Sequence, residues 1–72
     1  MQSTLGENIR QARKNYGMTQ TVLAERIGIS KTSLSLIESG ETKDPKYSIV
    51  KNIARVLRMR IDELDPDEVA HA

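Results

Sequence analysis

The chain has no cysteine, no tryptophan and no phenylalanine, and Tyr16 and Tyr47 are its only aromatic residues. Without thiols there is neither a disulfide framework nor a thiolate metal site. The single histidine, His71, stands beside the C-terminal residue, where it reads as a solvated side chain rather than a ligand. A core without Phe or Trp has to be mostly aliphatic. No apolar run approaches the roughly 18 residues that a membrane span takes, and no secretory pattern opens the chain; the expectation is an intracellular, cytoplasmic protein. Seventy-two residues allow one domain with a small core. Lacking covalent or metal staples, such a chain needs efficient helix packing or a partner subunit.

The constellations of catalysis are missing too. There is no glycine-rich phosphate loop before a helix, no His-Glu-x-x-His pair, no cysteine nucleophile and no histidine in the body to act as a base. The carboxylates of residues 62–68 are close in sequence, but they sit in a polar tail with no evident pocket. The expectation is a protein that is not an enzyme and uses no cofactor or metal.

Net charge is +1, but it is unevenly spread. Residues 62–72 hold Asp62, Glu63, Asp65, Asp67 and Glu68 and no Lys or Arg, so residues 1–61 carry all 11 basic groups against 5 acidic ones. A basic body with an acidic tail suits a body that meets a polyanion while the tail points elsewhere; two solvated surfaces would look the same.

Residues 20–39, QTVLAERIGISKTSLSLIES, organise the rest. Leu23, Ala24 and Ile27 form one apolar face of a first short helix. Gly28 follows where a left-handed helix stop favours glycine, Ile29 plugs the corner, and Ser30 is placed to cap a second helix. Leu34 and Ile37 give that helix a buried stripe. Ala24 is small enough for two helices to cross steeply at a short turn. Lys31, Thr32, Ser35 and Leu36 stay outside the stripe, on a face that could enter a DNA major groove.

Around this core the chain reads as all-α, with five helices and no strand-like alternation. Thr4-Leu5-Gly6-Glu7 has the form of a capping box. Leu5, Ile9, Ala12 and Tyr16 continue at helical spacing to a stop at Gly17, and Thr19 caps the next helix. Gly40 closes the third, and 41–44 form a polar loop. Asp44-Pro45 predicts a cap with proline in the first turn of a fourth helix, whose inner face is Tyr47, Val50, Ile53, Ala54 and Leu57. Ile49 and Val56 lie off that face. A short fifth helix is expected at Ile61–Leu64, and Asp65-Pro66-Asp67-Glu68 resembles a further helix start.

The run Gln20-x-x-Leu23-Ala24-x-x-x-Gly28-Ile29-Ser30, continued by Leu34-Ser35-x-x-Glu38-x-Gly40, resembles the Cro and lambda-repressor type of helix-turn-helix regulator (the XRE family). The likeness runs from about Leu5 to Leu64. It implies a single compact five-helix domain over residues 1–72, with a core at about 4–64 and an acidic, loose tail at 65–72. It departs from the family at Arg58, where relatives usually carry glycine, and at Leu36, where they often carry a polar or basic side chain.

The resemblance assigns roles. Lys31, Thr32, Ser35 and Leu36 would read bases. Lysine can donate to guanine, threonine can bond a base edge or offer its methyl to thymine, and an exposed leucine can pack on thymine methyls or be a stray surface residue. Thr19, Gln20, Ser33, Thr42 and Lys43 would hold phosphates, Gln20 with help from the helix dipole. Arg10 and Lys14 would add long-range attraction. Arg13 and Glu38 match positions that form an ion pair in the family. Two units about one helical turn apart would read a palindrome, joined as a homodimer through Ile49, Val56, Met59 and Ile61. The implied partner is double-stranded DNA, and the implied function is a transcription regulator, most simply a repressor, laid out like small phage repressors and restriction–modification controllers. Two alternatives remain. One is an antitoxin or interaction module that binds a protein partner such as a toxin. The other is a scaffold that kept the fold and lost the DNA.

Overall fold

The computed structural model describes residues 4–65. They form α1 (Leu5–Asn15), α2 (Gln20–Ile27), α3 (Lys31–Ser39), α4 (Tyr47–Val56) and α5 (Ile61–Leu64), with no strand among the described residues. The all-α, five-helix architecture is the one the sequence predicts. The expected helix start at Asp65-Pro66-Asp67-Glu68, and His71, fall wholly or mostly outside the described residues.

The first three helices begin on hydroxyl caps. Thr4 accepts the Glu7 amide at 3.2 Å, Thr19 accepts that of Val22 at 3.2 Å, and Ser30 accepts that of Ser33 at 3.0 Å. Each bond satisfies an amide that has no partner inside its own helix. The fourth start differs from expectation. Lys46, not Asp44, precedes α4, and no side chain caps it. Pro45 therefore lies ahead of the helix rather than in its first turn. At α5 the roles invert: the Glu63 carboxylate accepts the Arg60 amide at 3.0 Å.

The ends of α1, α2 and α4 follow one local rule. At Gly28, φ is +79°; its amide bonds the Glu25 carbonyl and the Ile29 amide bonds Ala24 at 3.0 Å. The left-handed residue turns the chain back and satisfies carbonyls that the helix leaves open. The same pair of bonds closes α4, from Arg58 to Arg55 at 3.2 Å and from Met59 to Ala54 at 2.8 Å. There, however, the left-handed residue is Arg58, with φ +56°. The helix stops where the family's glycine would stop it, although the residue carries a Cβ.

The core draws one fully buried large side chain from each helix: Ile9, Leu23, Leu34, Ile53 and Leu64. Ala24, Ile37, Val50, Ala54, Leu57 and Met18 complete it. The core is aliphatic, but the two tyrosines take no part in it. Tyr16 is 44% exposed and Tyr47 56% exposed, which corrects their placement on inner faces. Each lies at a helix end, where apolar spacing no longer implies a neighbouring helix. α3 packs mainly on α1 and α2, α2 also on α4, and α5 on α4 and α1. α5 is further tied to α1 by the Asn8 side-chain amide, which donates to the Leu64 carbonyl at 2.9 Å.

The α1–α3 crossing depends on Gly6. A Cβ built there would lie 2.5 Å from the Ile37 carbonyl oxygen and 2.6 Å from that of Glu38. Backbone meets backbone at this point, and a side chain would separate the two helices.

Candidate nucleic-acid interface

α3 presents two opposed faces. Leu34, Ile37 and Glu38 are buried, while Lys31, Thr32, Ser33, Ser35 and Leu36 are exposed. The proposed base-reading residues therefore share the outward side of a helix held from behind by α1 and α2. No hydrogen bond among the described residues occupies the side chains of Lys31, Thr32 or Ser35, which leaves their donors for an external partner. Ser33 accepts from the Ser30 hydroxyl at 2.9 Å and keeps its own proton.

Behind this face lies a buried polar cluster. Arg13 grips Glu38 through two nitrogens, Nε to Oε2 at 2.8 Å and Nη2 to Oε1 at 3.1 Å, and its Nη1 donates to the Met18 carbonyl at 2.8 Å. Gln20 Nε2 adds a bond to Glu38 Oε1 at 3.1 Å. The Arg13 and Glu38 side chains are only 9% and 3% exposed. A buried carboxylate this well satisfied meets the condition under which such a charge is tolerated. With Arg13 beside it, its negative charge is compensated behind the exposed face of α3. The expected ion pair is present; its link to Gln20 is an addition that spacing alone does not suggest.

Gln20 opens α2, where the helix dipole leaves partial positive charge. It lines a groove with Arg10, Arg13, Lys14, Ser35, Glu38 and Ser39. A phosphate candidate (Gln20) and a base-reading candidate (Ser35) thus meet in one groove, whose far wall is the basic flank of α1. Sequence reading gave Arg10 and Lys14 only a long-range role. Their spacing around Arg13, one turn before and one residue after, is the signal that puts them on the flank facing α3.

Thr19 is exposed and its hydroxyl serves as the α2 cap. Thr42 is half-buried, and its amide bonds the Leu36 carbonyl at 3.0 Å, which anchors the following loop to α3 and carries the exposed Lys43 at that helix's far end. Asp65 lines a small cleft with Lys43, Asp44, Pro45 and Tyr47; the acidic residues beyond it lie outside the described residues. The dimer candidates Ile49, Val56, Met59 and Ile61 are half-buried against the core. They belong to α4, α5 and their junction, whereas α3 packs mainly on α1 and α2.

A helix-turn-helix family model matches residues 9–64. The chain belongs to this family. Helix-turn-helix relatives include the Bacillus subtilis regulator YazB, described as an uncharacterised transcriptional regulator. It is 41% identical over 63 residues, covering 88% of this chain and 90% of YazB. Among solved structures, the P22 c2 repressor in complex with a synthetic operator superposes with a TM-score of 0.81 at 28% identity, covering 89% of this chain and 96% of that one. The complex of SinR with SinI superposes with a TM-score of 0.84 at 28% identity, covering 96% of this chain and 67% of the matched one. Helix-turn-helix membership accounts for the α2–turn–α3 geometry. Among the described residues no helix is long and apolar enough to cross a membrane, and no group of His, Cys, Asp or Glu is arranged to hold a metal ion.

Proposed function

We propose that this protein is a sequence-specific, DNA-binding transcription regulator that acts in the cytoplasm as a repressor. In this reading α3 enters the major groove. Lys31, Thr32, Ser35 and Leu36 face the bases, while Thr19, Gln20, Ser33, Thr42 and Lys43 meet the flanking phosphates. Two copies joined through Ile49, Val56, Met59 and Ile61 read the two halves of a palindromic operator. The observation that carries this proposal is the exposed, hydrogen-bond-free leading edge of α3 beside Gln20 at the head of α2.

Selection of bound duplexes from a random pool tests it. A regulator of this kind returns an inverted repeat, binds it with an affinity that falls steeply as salt rises, and sediments as a dimer on it. Failure to enrich any sequence, or salt-indifferent binding, rejects the proposal.

A second reading adds a protein partner to the same fold, as an antitoxin or interaction module does. The likeness to SinR within its complex with SinI favours it. A protein that co-purifies at fixed stoichiometry and abolishes operator binding would establish it.

A further inference from the structure

Residues 45–61 hold Lys46, Lys51, Arg55, Arg58 and Arg60 and not one Asp or Glu. Arg60 has acids beside it, Asp62 at 3.4 Å and Glu63 at 3.8 Å. Lys51, Arg55 and Arg58 are exposed, and no side-chain hydrogen bond or ion pair among the described residues engages them. Lys51 and Arg55 stand one turn apart on α4, a spacing at which like charges repel. Arg58 follows just beyond the helix with φ +56°, a conformation that disfavours any residue with a Cβ. Both features are destabilising, and no side-chain bond within the fold offsets them.

Successive α-helical residues are about 100° apart. The direction opposite Val50, Ile53 and Ala54, the buried side of α4, therefore runs close to Ser48, Asn52 and Arg55. Lys51 flanks this line on one side. Ile49 and Val56 flank it on the other. α4 packs on α2 and α5, whereas α3 packs mainly on α1 and α2. Both helices close on one core and turn their opposite sides to solvent, so the α4 ridge and the exposed edge of α3 face different ways.

Resting on the DNA-binding reading above, we propose that this ridge, Ser48, Lys51, Asn52 and Arg55 with Arg58 beyond them, is a second surface for duplex DNA. It grips the phosphate backbone without reading sequence, so that a protein seated on its operator through α3 holds a second duplex segment alongside. Lysine, arginine, serine and asparagine all bond phosphate oxygens, and the ridge presents them with no carboxylate among them. Its charge complements a duplex that carries one negative charge per roughly 1.7 Å of axis. A second copy of the chain fits it poorly, because across a two-fold axis the same patch meets itself, cation against cation. A protein interface centres on buried aromatic or apolar anchors, and the middle of the ridge has none. The ridge lies on the flank away from Ile49 and Val56, so it stays open when a second copy docks there.

The test immobilises the selected duplex on beads, loads the protein, and measures capture of a fluorescent random-sequence duplex per protein retained. The wild type captures the second duplex, and does so roughly 40-fold more weakly at 200 mM than at 50 mM salt, the loss for three cations that each release a counterion. Lys51→Gln/Arg55→Gln, which changes two exposed side chains, lowers that salt slope by about two and loses most of the capture. Its hold on the immobilised duplex stays within about 2-fold of wild type at 0.15 M salt, where charges on separate faces are largely screened. No capture by the wild type, or equal capture by the variant, overturns the second surface while regulated DNA binding stands. Loss of the immobilised duplex by the variant overturns it too, since the ridge would then belong to the first site. Stronger capture of fluorescent poly-glutamate than of duplex at equal charge would assign the ridge to an acidic protein instead. If the wild type binds no immobilised duplex, both readings fall together.

Discussion

Gln20 donates its side-chain amide to Glu38 at 3.1 Å, on the same carboxylate oxygen that Arg13 Nη2 reaches at 3.1 Å. One buried acid therefore joins α1, the head of α2 and the end of α3. Rotation of α3 would break bonds to both neighbours at once, so the cluster fixes the angle at which the exposed edge is offered. Glu38→Ala leaves the Arg13 guanidinium buried without its partner, at a cost of about 3–5 kcal/mol. Urea unfolding measures it. Because an apolar pair can replace a buried ion pair at little cost, the double variant Arg13→Met/Glu38→Leu should be less destabilised than either single variant. Additive losses would show that the pair is not acting as a unit.

Lys31 and Gln20 should respond differently to alanine. Lys31→Ala weakens the preferred duplex by about 1–3 kcal/mol and relaxes the preference at one base pair. Gln20→Ala weakens selected and random duplexes by similar factors, because phosphates carry no direct sequence information. Fluorescence anisotropy with both duplexes separates the two roles. A Gln20 effect confined to one base pair would reverse its assignment.

Gly6→Ala tests the close crossing of α1 and α3. Inside an exposed helix the change would stabilise by about 1 kcal/mol through helix propensity. Here the new Cβ would sit 2.5 Å from the Ile37 carbonyl oxygen, and backbone has no rotamer by which to yield. Overpacking of this kind costs roughly 1–3 kcal/mol. The expected outcome is a lower midpoint in thermal unfolding, together with weaker DNA binding as α1 moves off α3. A variant as stable as wild type would mean the helices can separate freely.

Arg58→Gly should act in the opposite direction. Arg58 holds φ +56° at the end of α4, a region that costs an L-residue with a Cβ about 1–2 kcal/mol and glycine very little. Glycine's extra freedom in the unfolded chain takes back part of that gain. A net stabilisation of about 1 kcal/mol corresponds to a rise of about 4–8 °C in Tm for a domain of this size. No rise in differential scanning calorimetry would show that the Arg58 side chain makes compensating contacts.

Much of this fold is local and was therefore legible in residue order. The caps at Thr4, Thr19 and Ser30 and the stop at Gly28 are settled by bonds spanning three to five residues. Alternation between Leu34 or Ile37 and the residues around them is enough to say which side of α3 is buried, and so which residues face outward. The Arg13–Glu38 pair was legible only through family resemblance, because its members stand 25 positions apart. Local signals failed at helix ends. Tyr16 and Tyr47 keep the apolar spacing but stay outside the buried core. Asp44-Pro45 has the composition of a helix start two residues before the start occurs, and nothing in the neighbouring residues marks Lys46 instead.

What residue order determined by itself is where the chain turns and which face of each helix is apolar, because those depend on hydrogen bonds and side-chain spacing within about one helical turn. Only the tertiary structure decided that Gly6 lies under the α3 backbone, that Asn8 caps the last helix from 56 positions away, and that Gln20 shares a carboxylate with Arg13. Each of these depends on the distance between segments remote in sequence, and that distance is set when the aliphatic side chains of all five helices close on one another.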